Sequence, residues 1–140
     1  MNTATMPAGL TPEQRYYPFS RFLRERFGTK VYRVSVDGGF TCPNVDGTVA
    51  KGGCVFCDNR SFAPSRRLPR STIHEQLDVG IEKLQARFGV DHFLAYFQAA
   101  TNTYARLEKL KRLYDEAMAH PKIVGLAIGT RPDCVPDDVL

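Results

Sequence analysis

Apolar side chains recur along this chain with two periods, one near 3.6 residues and one near 2. Phe19, Phe22, Leu23 and Phe27 share one stripe at helical spacing, with Gly28 as a stop, which predicts a short helix over 18–27. Residues 30–36 alternate apolar and polar side chains and are rich in branched and aromatic types, so a first strand is expected there. Thr72-Ile-His-Glu75 has the form of a capping box, and Ile73, Leu77, Ile81, Leu84 and Phe88 carry an apolar stripe to about residue 88. Residues 92–97 are almost continuously apolar, as in a strand covered on both faces of a parallel sheet. A second amphipathic helix is predicted over 106–120, with Leu107, Leu110, Tyr114 and Ala117 inward and Lys109, Lys111 and Glu116 facing water. Residues 123–128 supply a third strand.

Strand, loop, helix, strand, helix, strand is the order of consecutive right-handed crossovers, so the strands are expected to run parallel in an α/β fold. Ligands of such folds gather at the carboxyl ends of the strands, and each polar cluster here follows a strand. The first is a glycine- and cysteine-rich loop, the second spans 98–104, and the third spans 129–133. Residues 1–16 are read as a flexible lead-in and 17–140 as one folded portion. The end of the chain, with Pro136 and two aspartates, looks like the start of another helix, and a strand as apolar as 123–128 at a sheet edge invites cover. The expectation is therefore the N-terminal portion of a longer protein, or a subunit completed by another chain, with poor stability on its own.

Composition narrows the setting. With 43% hydrophobic and 24% charged residues the chain sits among ordinary soluble domains, and no apolar run reaches membrane-spanning length. The first twelve residues lack the apolar core of a signal peptide, so a cytoplasmic, reducing location with no membrane partner is expected. A net charge of +4 and a pI near 9.0 favour anionic partners without specifying one.

In that setting cysteines read as metal ligands rather than bridges. Three of the four lie in the first loop: Cys54 and Cys57 are spaced to bite one centre, and Cys42 returns to them across eleven residues. Gly38, Gly39, Gly47, Gly52 and Gly53 let the loop turn sharply. Three thiolates on a 4Fe-4S cluster leave one iron open for a substrate or cofactor, whereas electron-transfer clusters use four cysteines. A structural zinc wants a fourth protein ligand, which Cys134 or His74 would supply; iron-sulfur, zinc and unligated core cysteines all stay open on the ligand pattern alone.

The motif Cys42-x11-Cys54-Val-Phe-Cys57 after a first strand resembles the cluster motif of radical S-adenosylmethionine (radical SAM) enzymes. Asp37-Gly-Gly-Phe-Thr-Cys42-Pro-Asn, Ala95-Tyr-Phe-Gln-Ala-Ala-Thr-Asn-Thr-Tyr104 and Gly129-Thr-Arg-Pro-Asp-Cys134 resemble, more narrowly, the YhcC-like group, which is related to the catalytic subunit of Elongator. The first gap departs from the common Cys-x3-Cys-x2-Cys spacing, and members of that group share the long insertion. The resemblance implies the first units of a partial (β/α)6 TIM-like barrel, in a protein that reductively cleaves S-adenosylmethionine to a 5'-deoxyadenosyl radical. It implies Cys42, Cys54 and Cys57 as ligands of three irons of a 4Fe-4S cluster, with the cofactor's methionine end on the fourth. Phe56 would lie beside the adenine, Gln98 would meet the cofactor's amino group, and Arg131 and Asp133 would address its carboxylate and its amino or ribose groups. A flavodoxin or ferredoxin would supply electrons, and tRNA is the substrate class suggested by the Elongator relation. The competing function is a non-catalytic zinc or iron-sulfur binding module.

Several of these residues have plain structural readings. Asp133 also suits a helix cap or a partner for Arg131, Cys134 suits simple burial, and Asn102, Thr103 and Tyr104 suit closure of a turn. His74 and His92, at the start of a helix and a strand, read as structural rather than as acid-base groups. Arg60, Arg66, Arg67 and Arg70 with Phe62 suit either a solvated basic loop or a phosphate- or RNA-binding one.

Overall fold

The computed structural model describes residues 16–58 and 71–140. The expected lead-in, apart from Tyr16, and the arginine-rich stretch 60–70 lie outside the described residues. The chain divides into two compact units, residues 1–31 and 32–140.

In the first unit, α1 (Phe19–Phe27) ends where Gly28 adopts a φ of 70° and its N–H bonds to the Arg24 carbonyl at 2.8 Å. That left-handed conformation is cheap for glycine, which explains the stop. The expected stripe is only partly inward: Leu23 is buried, while Phe19 and Phe22 are exposed and stack on each other at 5.8 Å. Two neighbouring rings thereby shed water on one another instead of on a core.

β1 (Val31–Val36) starts at the boundary between the units, and the remaining elements are α2 (Pro43–Asp46), α3 (Ile73–Phe88), β2 (His92–Phe97), α4 (Leu107–Met118) and β3 (Ile123–Ile128). A 3-10 turn covers Pro132–Cys134. The strands form a three-stranded parallel sheet in the order β1-β2-β3, as the crossover pattern predicts. β2 and β3 pair Leu94 with Gly125 through Phe97 with Ile128, after a register shift beyond Phe93. The short helix α2 was not anticipated. Four residues are too few for an apolar period to register, and its cues are only Pro43 at the first helical position and Gly47 in the left-handed region after it.

The core is built as the apolar periods require. β2 buries Phe93, Leu94, Ala95 and Phe97, so side chains pointing both ways from the strand are covered. α3 contributes Ile73, Leu77 and Ile81, one per turn, and its first turn carries the predicted capping box: the Thr72 hydroxyl accepts from the Glu75 N–H at 3.1 Å, and the Glu75 carboxylate accepts from the Thr72 N–H at 2.8 Å. Phe88, expected in the same stripe, is partly exposed and stacks on Tyr32 at 4.8 Å. On α4 the buried residues are Leu110, Leu113 and Ala117, with Tyr114 packed at the edge of the core. Leu107, expected inward, is exposed in the first turn, so the buried stripe begins one turn later at Leu110. No helix among the described residues is long and apolar enough to cross a membrane.

Helix α3 passes close to β1 at Gly80, where an added Cβ would lie 2.5 Å from Val34 Cγ1. Val34 is buried in β1 and, being β-branched, has little freedom to turn away. Gly80→Ala is therefore expected to destabilise the chain by about 1–3 kcal/mol through overpacking, although alanine favours an isolated helix. Urea unfolding of Gly80→Ala alone and with Val34→Ala checks this: the second change should recover part of the loss, and a more stable single variant would show that the contact yields.

Candidate functional site

The three loops that follow the strands meet. The Gln98 N–H bonds to the Val36 carbonyl at 3.2 Å and the Gly129 N–H to the Phe97 carbonyl at 3.0 Å, so the ends of β1 and β3 are levelled against the end of β2. Beyond the strands the Thr101 N–H reaches the Thr41 carbonyl at 3.1 Å, and the Asn102 N–H reaches the Gly129 carbonyl at 3.1 Å. Asn102 is fully buried, and its side-chain amide donates to the carbonyls of Ala99 at 3.0 Å and Gly129 at 2.7 Å. Its Oδ1 is buried with no hydrogen-bond partner among the described residues. The Thr103 hydroxyl meets that of Thr130 and the Cys134 carbonyl, and the Tyr104 hydroxyl meets that of Thr48 at 2.9 Å. These residues do more than close their own turn, since each ties the middle loop to a neighbour.

The first loop is anchored at its root by α3, where Gln76 accepts from the Asp37 N–H at 2.8 Å and donates to the Asp37 carbonyl at 3.1 Å. Cys42 then caps α2, and the chain runs out and returns through an Asp46–Lys51 bridge. Gly52 and Gly53 hold φ values of 82° and 85°, a pair of left-handed residues that only glycine adopts without strain. They turn the chain so that the Gly53 N–H bonds to the Asn44 carbonyl at 2.8 Å and Cys54 arrives beside the Asn44 side chain. Asn44 Nδ2 donates to Cys54 Sγ at 3.0 Å, and the Asn44 backbone amide lies close enough to the Cys42 sulfur to favour its ionised form. One residue thus serves two thiols twelve positions apart. The Cys57 N–H closes a turn on the Cys54 carbonyl at 2.9 Å.

None of the four cysteines forms a disulfide. Burial pushes the Cys42 thiol up, but hydrogen bonds from Thr101, the Asn44 amide and Arg131, whose guanidinium lies 4.0 Å from the sulfur, outweigh it and leave the thiol easier to ionise. Cys134 is shifted the other way, by burial and by the charge of Asp133. Arg131 and Asp133 form a two-pronged ion pair, Nε to Oδ1 at 2.9 Å and NH2 to Oδ2 at 2.6 Å, which raises the arginine's basicity and holds the Asp133 carboxyl below the usual range. The partner-for-arginine reading of Asp133 is thus the one its contacts express. Gln98 is half-buried at the end of β2, and Phe56 presents an exposed ring between Cys54 and Cys57.

The donor set can be weighed against the two metal readings. Among the described residues no three thiols have their sulfurs all within 4.8 Å of one another; the group that meets that condition is His74, Asp78 and His120. A single zinc gathers its thiolates closely, with Zn–S near 2.3 Å, whereas a cubane spreads them because each binds a different iron. Of the two fourth ligands a zinc at the cysteine loop would call on, His74 is grouped instead with Asp78 and His120. Cys42 and Cys54 are half-buried and Cys57 is exposed, so all three thiols of the loop are accessible. Of the contributing residues, Asn44 and Thr101 were not singled out from sequence; their only signal there is a polar side chain close to a cysteine or at the end of a strand.

Comparison with known proteins gives relatives over most of the chain. It is 43% identical over 131 residues to "Uncharacterized protein YtqA" of Bacillus subtilis, covering 91% of this chain and 40% of that protein. It is 46% identical over 122 residues to "Protein YhcC" of Escherichia coli K12, covering 87% and 38%, and 34% identical over 121 residues to "Uncharacterized protein MJ0486" of Methanocaldococcus jannaschii, covering 85% and 36%. The chain thus spans about two fifths of the length of these curated relatives. No family model and no solved structure matches it.

The opposite shifts of the two half-buried thiols are measurable. In metal-free chain, iodoacetamide should modify Cys42 with a half-maximal rate at lower pH than Cys134, and Arg131→Gln should move the Cys42 midpoint upward. Peptide mapping by mass spectrometry across a pH series reads both, and coincident midpoints would contradict the assigned electrostatics.

Proposed function

We propose that the intact protein is a radical SAM enzyme whose 4Fe-4S cluster is held by Cys42, Cys54 and Cys57. The observation that carries this reading is the closure of the cysteine loop by Asn44, which reaches the sulfurs of both Cys42 and Cys54 at the carboxyl end of a parallel sheet. The motif resemblance adds the long first gap, and the similarity to YhcC supports the narrower grouping. The three parallel strands would be the first of a partial (β/α)6 barrel, with the other strands in the part of the relatives that this chain does not span.

When bound, the cluster supplies one electron to the sulfonium of S-adenosylmethionine, giving methionine and a 5'-deoxyadenosyl radical. The chain's own residues hold and position. The Cys42 thiol, biased toward thiolate by Thr101, Asn44 and Arg131, and Cys54, with an amide donor at 3.0 Å, would be the anchored ligands. Cys57, on the exposed turn, would complete the set. Arg131, steered by Asp133, is a fixed cation beside Cys42 and suits a carboxylate on the ligand. Gln98 offers an amide at the end of β2, and the exposed Phe56 ring suits a flat heterocycle. Electrons would come from a flavodoxin or ferredoxin.

Anaerobic reconstitution of full-length protein should yield close to four irons and four sulfides per chain, abolished by Ser at any of the three cysteines. With dithionite and S-adenosylmethionine it should form 5'-deoxyadenosine above background. Stoichiometric zinc without sulfide would sink the cluster, whereas a cluster without 5'-deoxyadenosine would leave a non-catalytic binding module.

For substrate we propose RNA, tRNA in particular, on the Elongator relation, the net charge of +4 and the arginines of the 60–70 stretch. Filter binding at low salt should retain tRNA, with affinity falling steeply as salt is added, and Arg66→Ala with Arg67→Ala should weaken it. Failure to retain any RNA at low salt would remove the substrate while leaving the radical chemistry standing.

A further inference from the structure

We propose that His74, Asp78 and His120 form a second metal site, separate from the cysteine loop, that takes a transition-metal dication with high affinity for imidazole, such as Zn²⁺. His74 and Asp78 stand four residues apart on α3, so their side chains lie side by side on one face. His120 follows the end of α4, where α4 contacts α3, and its side chain is nearly buried. Both histidines present Nε2 to the same carboxylate: His120 lies 3.2 Å from Asp78 Oδ1 and His74 lies 3.8 Å from Asp78 Oδ2. The two rings are 5.1 Å apart, and the three ligand atoms all fall within 4.8 Å of one another.

Nitrogen and oxygen ligands at zinc distances stand about 3.3 Å apart around a tetrahedral ion, so the set needs only a small closure. His74 and Asp78 are about half-exposed and have room to make it, while His120 is held. The backbone is already docked, because the His74 N–H donates to Glu116 Oε1 on α4 at 3.2 Å. Two imidazoles and one carboxylate leave a fourth position toward solvent for water. A packing hydrogen bond between α3 and the end of α4 would need only His120 and Asp78; it gives no reason for the second imidazole on the other carboxylate oxygen.

The ligand types set the selectivity. Two imidazoles suit Zn²⁺, Ni²⁺ and Cu²⁺, whereas Mg²⁺ and other hard cations favour oxygen ligands. His120 Nδ1 accepts from the Lys122 N–H at 3.2 Å, so coordination through Nε2 gives up that hydrogen bond.

The test uses the full 140-residue chain with Cys42, Cys54, Cys57 and Cys134 changed to Ser, so that thiols do not compete. Calorimetric titration with zinc chloride should show saturable binding of one ion per chain, and magnesium chloride should show none. His74→Ala, on an exposed side chain that the fold does not need, should weaken zinc by at least about tenfold with an unchanged circular dichroism spectrum. Absence of saturable zinc binding, equal affinity in His74→Ala, or equal binding of magnesium would each overturn the site. Should the serine variant fail to fold, zinc content of the unsubstituted chain, equilibrated at the free zinc concentration that half-fills its weakest site, decides the matter: His74→Ala should hold less zinc there, and an unchanged content overturns the proposal. None of these outcomes depends on the cluster.

Discussion

β2 is the constraint on which the rest of the second unit depends. It is paired on both sides and covered on both faces, and its last residues set the height of everything around them. Through the bonds from Gln98 to Val36 and from Gly129 to Phe97, both neighbouring strands stop level with it. Apolar burial supplies the driving force, with Phe93, Ala95 and Phe97 wholly out of water, but it is non-directional and would tolerate a sheet whose ends were staggered. The backbone ladder removes that tolerance. Three loops of different length and composition therefore begin from one plane, and short polar side chains suffice to knit them.

Asn102 shows what this knitting requires. Its amide spans two carbonyls on different loops, and its own carbonyl receives the Tyr114 hydroxyl from α4 at 2.7 Å. A buried amide of this kind is worth having only when its bonds are made, because an unmet polar atom in the interior costs more than a made bond returns. Among the described residues Oδ1 is such an unmet atom, so the network they form is satisfied on its donor side and open on its acceptor side. The same economy of parts appears at Asn44, where backbone and side chain of one residue reach sulfurs that precede and follow it.

Much of the fold was legible in the sequence because its periods are long and its punctuation is chemical. The runs at 92–97 and 123–128 coincide with β2 and β3, and the capping box at Thr72 and Glu75 marks the start of α3. The errors fall where local pattern is blind. Leu107 has the right spacing to face inward, but whether the first turn of a helix is covered depends on what lies opposite it, and Phe19 and Phe22 find each other instead of a core. Of the candidate site, the cysteines and the arginine and aspartate after β3 stood out in the sequence, through the cysteine spacing and the position of the other two at a strand end. Asn44 and Thr101 did not, because an asparagine or threonine in a loop is ordinary and becomes informative only when a sulfur is found against it. His120 was silent for a related reason, since its partner Asp78 sits forty-two residues upstream on α3.

The folded-back excursion between Cys42 and Cys54 separates two lengths that a motif usually confounds. The Asp46–Lys51 bridge and the Gly52–Gly53 turn return the chain to Asn44, so the path between the two sulfurs through the backbone is long while both touch the same residue. Were residues gained or lost at the tip of that hairpin with the bonds from Thr48 to Tyr104 and from Val49 and Ala50 to Pro43 kept, the count between the sulfurs would change without altering where either is delivered. Spacing counted along a sequence is then a record of hairpin length, and proteins with quite different intervals between their first two cysteines can present the same arrangement of sulfur in space.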